Sequence, residues 1–375
     1  MTDLVVCSLE AWDDVWRRNQ HLVDGLLRRD PTLRVLFVEP SADPAYEAVS
    51  RRRPRAGAGL RAQGEVERLA LFQPTKWLPR AAGAFVDQRL VAGARRAALR
   101  AGFTDPLLWV NDPGWAPLAV ETGWRSLYDI TDDWLLAHRD PRTQARLAEC
   151  EGLLMEHCAE VVVCSPALER TKGAVRPVTL IPNAVDAETY RRAARRPADV
   201  DGVPYALYVG TLHEDRLDVD LVLQTAQALR SASSRARLVL VGPNAMSAAN
   251  THRLQADPVV RLLGARPRGQ VPAYLQHAHA LLVPHVVDDF TDSLDPIKLY
   301  EYRAVGRPLV ATPVAGFREL AGRQGVTVAS GPEFASAVAG LTGAASRRSW
   351  PVTVPTWEDR VAAMATVLER LGAAT

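Results

Sequence analysis

A chain of 375 residues is long enough for two domains of ordinary size, each with its own core. Its net charge of +2, with basic residues spread along the whole length, leaves no electrostatic footprint for nucleic acid. Four cysteines (Cys7, Cys150, Cys158, Cys164) form no Cys-x-x-Cys pair and no zinc-like spacing with His, so they read as small buried residues of a reducing compartment. No stretch approaches the roughly 20 apolar residues of a membrane span, and Thr2 and Asp3 stand where a secretory leader would be basic. The expectation is a cytoplasmic protein.

The first hundred residues alternate in the α/β manner. Residues 4–7 are a short buried strand, and 17–29 a helix with Leu22, Leu26 and Leu27 on one face. A second strand begins at Arg34 and stops at Pro40, after which 43–67 reads as irregular. Within it, Arg51-Arg52-Arg53-Pro54-Arg55 reads as a solvated loop, with a weak peripheral contact to an anionic membrane as its alternative use. A helix over 84–100 leads to a strand at 107–110. Further strands follow at 126–130 and 161–165, with a helix over 141–157 between them, and 178–185 reads as extended. The repeated order implies a parallel sheet covered on both faces.

A polar break at 190–203 precedes a second α/β series with strands at 205–209, 237–241, 260–263, 280–284, 308–312 and 325–328. Amphipathic helices are expected at 218–230 and 270–278, and the chain closes in a helix from Trp357 to Leu371. The reading is an α/β protein of two similar halves around a cleft: domains 1–186 and 187–355, then a terminal helix, 356–375.

Open parallel sheets bind ligands at the carboxyl ends of their strands, which singles out two loops. In Tyr208-Val209-Gly210-Thr211-Leu212-His213-Glu214-Asp215-Arg216, Gly210 admits close backbone approach and Arg216 can pair bidentately with phosphate. The second is Ser293-Leu294-Asp295-Pro296-Ile297-Lys298-Leu299-Tyr300-Glu301, where a turn opens a helix that Gly306 and Pro308 end. Free N–H groups and the helix dipole there attract an anion. Lys298 is one of three lysines in a chain with 42 arginines, so it is not compositional background. Arg216 and Lys298 would clamp a diphosphate.

The second loop resembles the donor-sugar segment of GT-B glycosyltransferases, in particular the family-4-like group of bacterial polysaccharide and secondary-metabolite enzymes. That pattern has two Glu separated by seven residues, then Gly-x-Pro and a strand. Glu301 takes the second Glu position and Ser293 the first. The segments Trp16–Leu22, 34–40, 128–134, 181–186 and 259–275 are similar to the same group, and the Trp357-Glu358-Asp359-Arg360 helix to the one that crosses back onto the N-terminal domain. The resemblance implies two Rossmann-like domains facing a central cleft, with the acceptor on the N-terminal side and the nucleotide sugar on the C-terminal side.

The implied activity is transfer of a hexosyl-type group from a nucleoside-diphosphate sugar such as a UDP-sugar to an acceptor hydroxyl, with retention and no metal or other cofactor. Lys298, Arg216, Glu301 and Asp132 are the implied catalytic residues, with Glu301 accepting hydrogen bonds from sugar hydroxyls. Donor contacts fall to Gly210, Thr211, Arg266, Ser293, Leu294, Asp295 and Tyr300, and acceptor-side positions to His21 and Asp133. The partners are the nucleotide sugar and a small-molecule or glycan acceptor, not nucleic acid.

Several patterns compete with this reading. Asp129, Asp132 and Asp133 follow an N-domain strand and are equally turn or cap residues; one of them, Asp132 for preference, could act as base. Asp218-Val219-Asp220 matches a metal-binding Asp-x-Asp, but it opens a helix, where acids are favoured by the dipole. Absence of Gly-x-Gly-x-x-Gly, Walker and Gly-x-Ser-x-Gly motifs argues against dehydrogenase, kinase and hydrolase chemistry. The alternatives on the same fold are a nucleotide-sugar 2-epimerase and a non-catalytic binding or auxiliary protein, the latter supported by Ser293.

Overall fold

The computed structural model describes residues 2–50, 53–64, 66–200, 202–232, 234–343 and 352–373. The chain divides into two compact units: Met1–Leu135, Arg139–Pro182 and Glu358–Thr375 form the first, and Leu136–His138 with Asn183–Trp357 the second.

The first unit holds an eight-stranded sheet of β1 (Asp3–Cys7), β2 (Arg34–Val38), β3 (Gly59–Gln63), β4 (Val66–Gln73), β5 (Leu107–Val110), β6 (Ser126–Ile130), β7 (Glu160–Val163) and β8 (Thr179–Leu180). Its order is β3-β4-β2-β1-β5-β6-β7-β8, parallel throughout except for the β3/β4 pair. Central strands are apolar at nearly every position because helices cover both faces: all four residues of β5 are buried. One core cluster joins Val5, Leu36, Leu108, Tyr128 and Val161 to helix Phe85–Arg100.

In the stretch expected to be irregular, 43–67, the described residues include regular elements. They form a short helix, Pro44–Val49, capped by Asp43, and then the β3/β4 hairpin. In β4, Leu69 and Leu71 are buried on one face, and Ala70 and Phe72 pack, partly buried, against the core on the other. The edge strand β3 has no fully buried residue, so its Arg- and Gly-rich composition reads as loop while its backbone pairs. Arg51 and Arg52 lie outside the described residues; Arg53 and Arg55 are exposed. Residues 178–185 contribute only the two-residue β8.

The second unit's sheet is wholly parallel: β9 (Tyr205–Val209), β10 (Arg237–Val241), β11 (Val260–Gly264), β12 (Ala280–Val283), β13 (Leu309–Ala311) and β14 (Val326–Val328), in the order β11-β10-β9-β12-β13-β14. The first strand in sequence lies between β10 and β12, so the chain winds outward in both directions from β9. That reversal opens a crevice at the carboxyl ends of β9 and β12, the usual ligand position in such sheets.

The terminal helix Trp357–Ala373 belongs, from Glu358 on, to the first unit. Met364, Val367 and Leu371 are fully buried, and Val361 packs where Gly25 leaves no side chain. Arg370 pairs with Glu160 at 2.9 Å.

Candidate functional site

The site grows from the switch point of the second sheet. β9 ends at Val209 and the chain turns through Gly210 at φ 150°, a conformation that side chains disfavour. A Cβ there would stand 3.1 Å from the Lys298 ammonium, so the glycine also leaves room beside the cation. A bridge between Leu217 and His285, and a bond from the Val286 N–H to the Arg216 carbonyl at 2.8 Å, tie this loop to the one after β12.

Helix Ile297–Val305 starts after Pro296, and no side chain caps it. Its first turn therefore keeps unsatisfied N–H groups and the positive end of its dipole. Lys298 lies in that turn. Its Nζ donates to the Tyr208 hydroxyl at 3.2 Å, lies 3.3 Å from Nε2 of His285, and stands 4.7 Å from the Tyr208 ring centroid. Lys76 pairs with Asp43, and Lys172 with Asp133 and Glu151, whereas Lys298 has no carboxylate within ion-pair distance among the described residues. Its direct contacts are neutral groups, and the nearest acid in its helix, Glu301, acts on it only through space.

His285 makes that arrangement self-consistent. Burial, then the Lys298 and Arg216 charges, push its pKa well below the ordinary 6.5, so the ring is neutral and can accept from Lys298. The folded state thus binds fewer protons at His285 than the unfolded chain does below about pH 6.5. Stability contributed by the neutral ring should be present above that pH and lost as pH falls through it. Denaturant titrations from about pH 8 to about pH 5 should show this loss, and His285→Gln should flatten it. An unchanged pH dependence in the variant would show that His285 takes up protons alike in the folded and unfolded chain, so that burial does not hold it neutral.

Arg216 lies over the Phe290 ring at 5.5 Å, near enough to His285 for its charge to act on that ring. Glu301, one helical turn beyond Lys298, accepts a hydrogen bond from the buried Tyr190 hydroxyl. Burial raises its pKa, while Tyr190, Lys298 and Arg268 pull the other way. One carboxylate oxygen is occupied, and no second hydrogen bond engages the group among the described residues.

Other expected donor residues serve local structure. Ser293 is buried and donates to the Phe290 carbonyl at 2.7 Å, closing the short helix Asp289–Asp292. Asp295 accepts from the Tyr300 hydroxyl at 2.8 Å and from the Asn183 N–H at 2.5 Å, so both residues hold the turn before Lys298. Leu294 is buried and Thr211 exposed. Arg266 is gathered elsewhere, with Asp199 at 2.7 Å and the Tyr274 hydroxyl at 2.9 Å.

In the first unit the three acids have different surroundings. Asp129 lies inside β6, fully buried, in a two-point pair with Arg18 at 3.1 Å on each oxygen. Asp133 is buried against Lys172 at 3.0 Å, and Lys172 also holds Glu151 at 2.6 Å. Both acids balance internal cations, so neither is presented to solvent. Asp132 remains half-buried, its carbonyl taking the Trp134 N–H. His21 stacks edge-on against Trp16 at 5.2 Å, on a helix face. In the second unit, Asp218 caps helix Val219–Ser231 and Asp220 pairs with Arg253 at 2.5 Å.

Tyr208, His285 and Tyr190 were not singled out from sequence. His285 follows a strand end at the switch point, a signal that the strand pattern carried; Tyr190 meets Glu301 across 111 residues, which no local pattern reports.

Residues 203–343 match the family model of glycosyl transferases group 1. No curated protein sequence matches the chain. Among solved structures, a trehalose-6-phosphate protein from E. coli bound with UDP-2-fluoro glucose is similar at TM-score 0.64 and 13% identity, over 99% of this chain and 96% of that one. Anabaena HepE in complex with UDP and glucose is similar at TM-score 0.61 and 12% identity, over 100% of both chains. A trehalose-6-phosphate synthase analysed for glycosyltransfer with retention is similar at TM-score 0.62 and 12% identity, over 98% and 95%. The chain has the two-domain fold of the GT-B glycosyltransferases, and its residues 203–343 carry the group 1 glycosyl transferase pattern.

Proposed function

We propose that the chain moves a sugar from a nucleoside-diphosphate sugar to an acceptor hydroxyl, with retention and without a metal ion. One observation carries the reading: a lysine whose direct contacts are neutral groups, at an uncapped helix N-terminus beside a glycine turn at the sheet's switch point. Charge on the leaving diphosphate grows as the glycosidic bond breaks, so a fixed cation and oriented N–H groups there stabilise the transition state more than the ground state. Lys298 and Arg216 would take the phosphates, and the open oxygen of Glu301 a sugar hydroxyl. Asp132, half-buried where Asp129 and Asp133 are enclosed, is the acid assigned to the acceptor. The UDP-bound neighbours and the retention described for one of them support the donor class and the stereochemical outcome.

A thermal-shift series with UDP, GDP, dTDP and ADP tests donor binding; a true ligand at about 100 times its Kd should add about 2.7 kcal/mol of stability. No shift with any of them would sink the reading. Turnover should survive EDTA, because the diphosphate charge is assigned to Lys298, Arg216 and helix N–H groups. Activity lost in EDTA and restored by Mn²⁺ or Mg²⁺ would overturn that part. The tie of Ser293 to the Phe290 carbonyl favours a second reading, a nucleotide-sugar-binding auxiliary protein. Release of free nucleoside diphosphate by the purified chain separates the two.

A further inference from the structure

The first unit carries a groove of about 480 Å³ that the proposed donor chemistry does not use. Its floor is apolar: Phe72 at the end of β4, with Val86, Leu90 and Gly93 from helix Phe85–Arg100. Gly93 lies against the Phe72 ring, 3.6 Å from where its own Cβ would be, so a larger residue would start to fill the floor. At the rim, Trp77, Leu78 and Phe85 are 62%, 42% and 40% exposed. Three large apolar side chains on one lip form a patch that water does not favour.

The same helix lip is basic. Arg89 and Arg96 both line the groove and are exposed, and neither has a carboxylate within ion-pair distance among the described residues. They are seven residues apart, about 10 Å along the helix axis. The acid in this helix, Asp87, is already taken by Arg80 at 3.1 Å and Arg146 at 2.8 Å. Arg89 lies over the Phe85 ring at 6.0 Å, so one cation and one rim aromatic sit together. An apolar trough with an aromatic rim and two guanidiniums that no carboxylate neutralises among the described residues complements an amphiphile: an apolar chain below, an anionic headgroup above.

We propose that this groove docks the first unit onto a bilayer containing anionic lipid, with Trp77, Leu78 and Phe85 entering the interface and Arg89 and Arg96 facing the headgroup phosphates. The basic run at 51–55, the expected membrane contact from sequence, is not required for this. Flotation of the full chain with phosphatidylcholine vesicles, with and without phosphatidylglycerol, tests it. Binding should appear with phosphatidylglycerol, weaken with salt, and resist competition by glycerol phosphate, since the free headgroup lacks the chain. Arg89→Gln/Arg96→Gln should weaken it about thirty-fold, at about five-fold per basic residue near an anionic surface. Trp77→Ser/Phe85→Ser should abolish it while leaving the melting temperature and nucleotide shifts in place.

No binding to anionic vesicles overturns the proposal. So does binding that survives the Arg pair's loss, or binding that depends on the Arg pair but not on Trp77 and Phe85, which would be plain surface adsorption. The nucleotide shifts are read on the same samples, so failure here is distinct from failure of the donor site.

Discussion

Lys298→Ala is expected to lower turnover by about two to three orders of magnitude, the usual cost of removing one donor aimed at developing transition-state charge. The reason lies in what surrounds the ammonium. Tyr208 and His285 orient it at 3.2 and 3.3 Å without neutralising it, and Gly210 keeps space open next to it. Nucleotide affinity should fall as well, but less than turnover, because the contact strengthens as the diphosphate departs. Lys298→Arg should not restore the parent rate: a planar fork is bulkier than the ammonium that fits between Tyr208, His285 and Gly210. Glu301→Ala serves as the contrasting variant. It should blunt discrimination between nucleotide sugar and bare nucleotide, with some loss of stability from the stranded Tyr190 hydroxyl. Steady-state kinetics with a chosen nucleotide sugar decide the matter. Parental rates in both alanine variants would place the donor site elsewhere.

Deleting the chain from Glu358 onward is expected to prevent the first unit from folding. Val361, Met364, Val367, Leu368 and Leu371 are all buried, and each such side chain contributes about 1.5–3 kcal/mol. Their sum is comparable to the whole stability of an ordinary domain, about 5–15 kcal/mol. The contact is also shape-specific: a Cβ on Gly25 would lie 2.3 Å from Cγ2 of Val361. Gly25→Ala should therefore cost about 1–3 kcal/mol, and Val361→Ala in that background should recover part of it. Calorimetry on the truncated chain is the check. An unchanged melting transition for the first unit would mean that the helix adds nothing to its core.

Much of the architecture was legible in the residues because it is set by local periodicity. Continuous apolar runs such as 107–110 and 280–283 can only be strands buried on both faces, and capped amphipathic stretches between them can only be covering helices. The place of Lys298 in the first turn of a helix ending at Gly306 was legible too, since it is a local pattern. The strand in 59–63 was not, because an edge strand with no fully buried residue carries no apolar run to mark it. The fate of each charge was decided by tertiary structure alone. Asp129, Asp132 and Asp133 look alike in sequence, yet Arg18 and Lys172 enclose two of them and leave Asp132 half-buried. Likewise, only the fold reveals that Lys298 meets a neutral histidine and a tyrosine while the other two lysines meet carboxylates. Periodicity is written along the chain; the partner of a charge is chosen across it, and an ion's desolvation in the core is tolerable only where such a partner arrives.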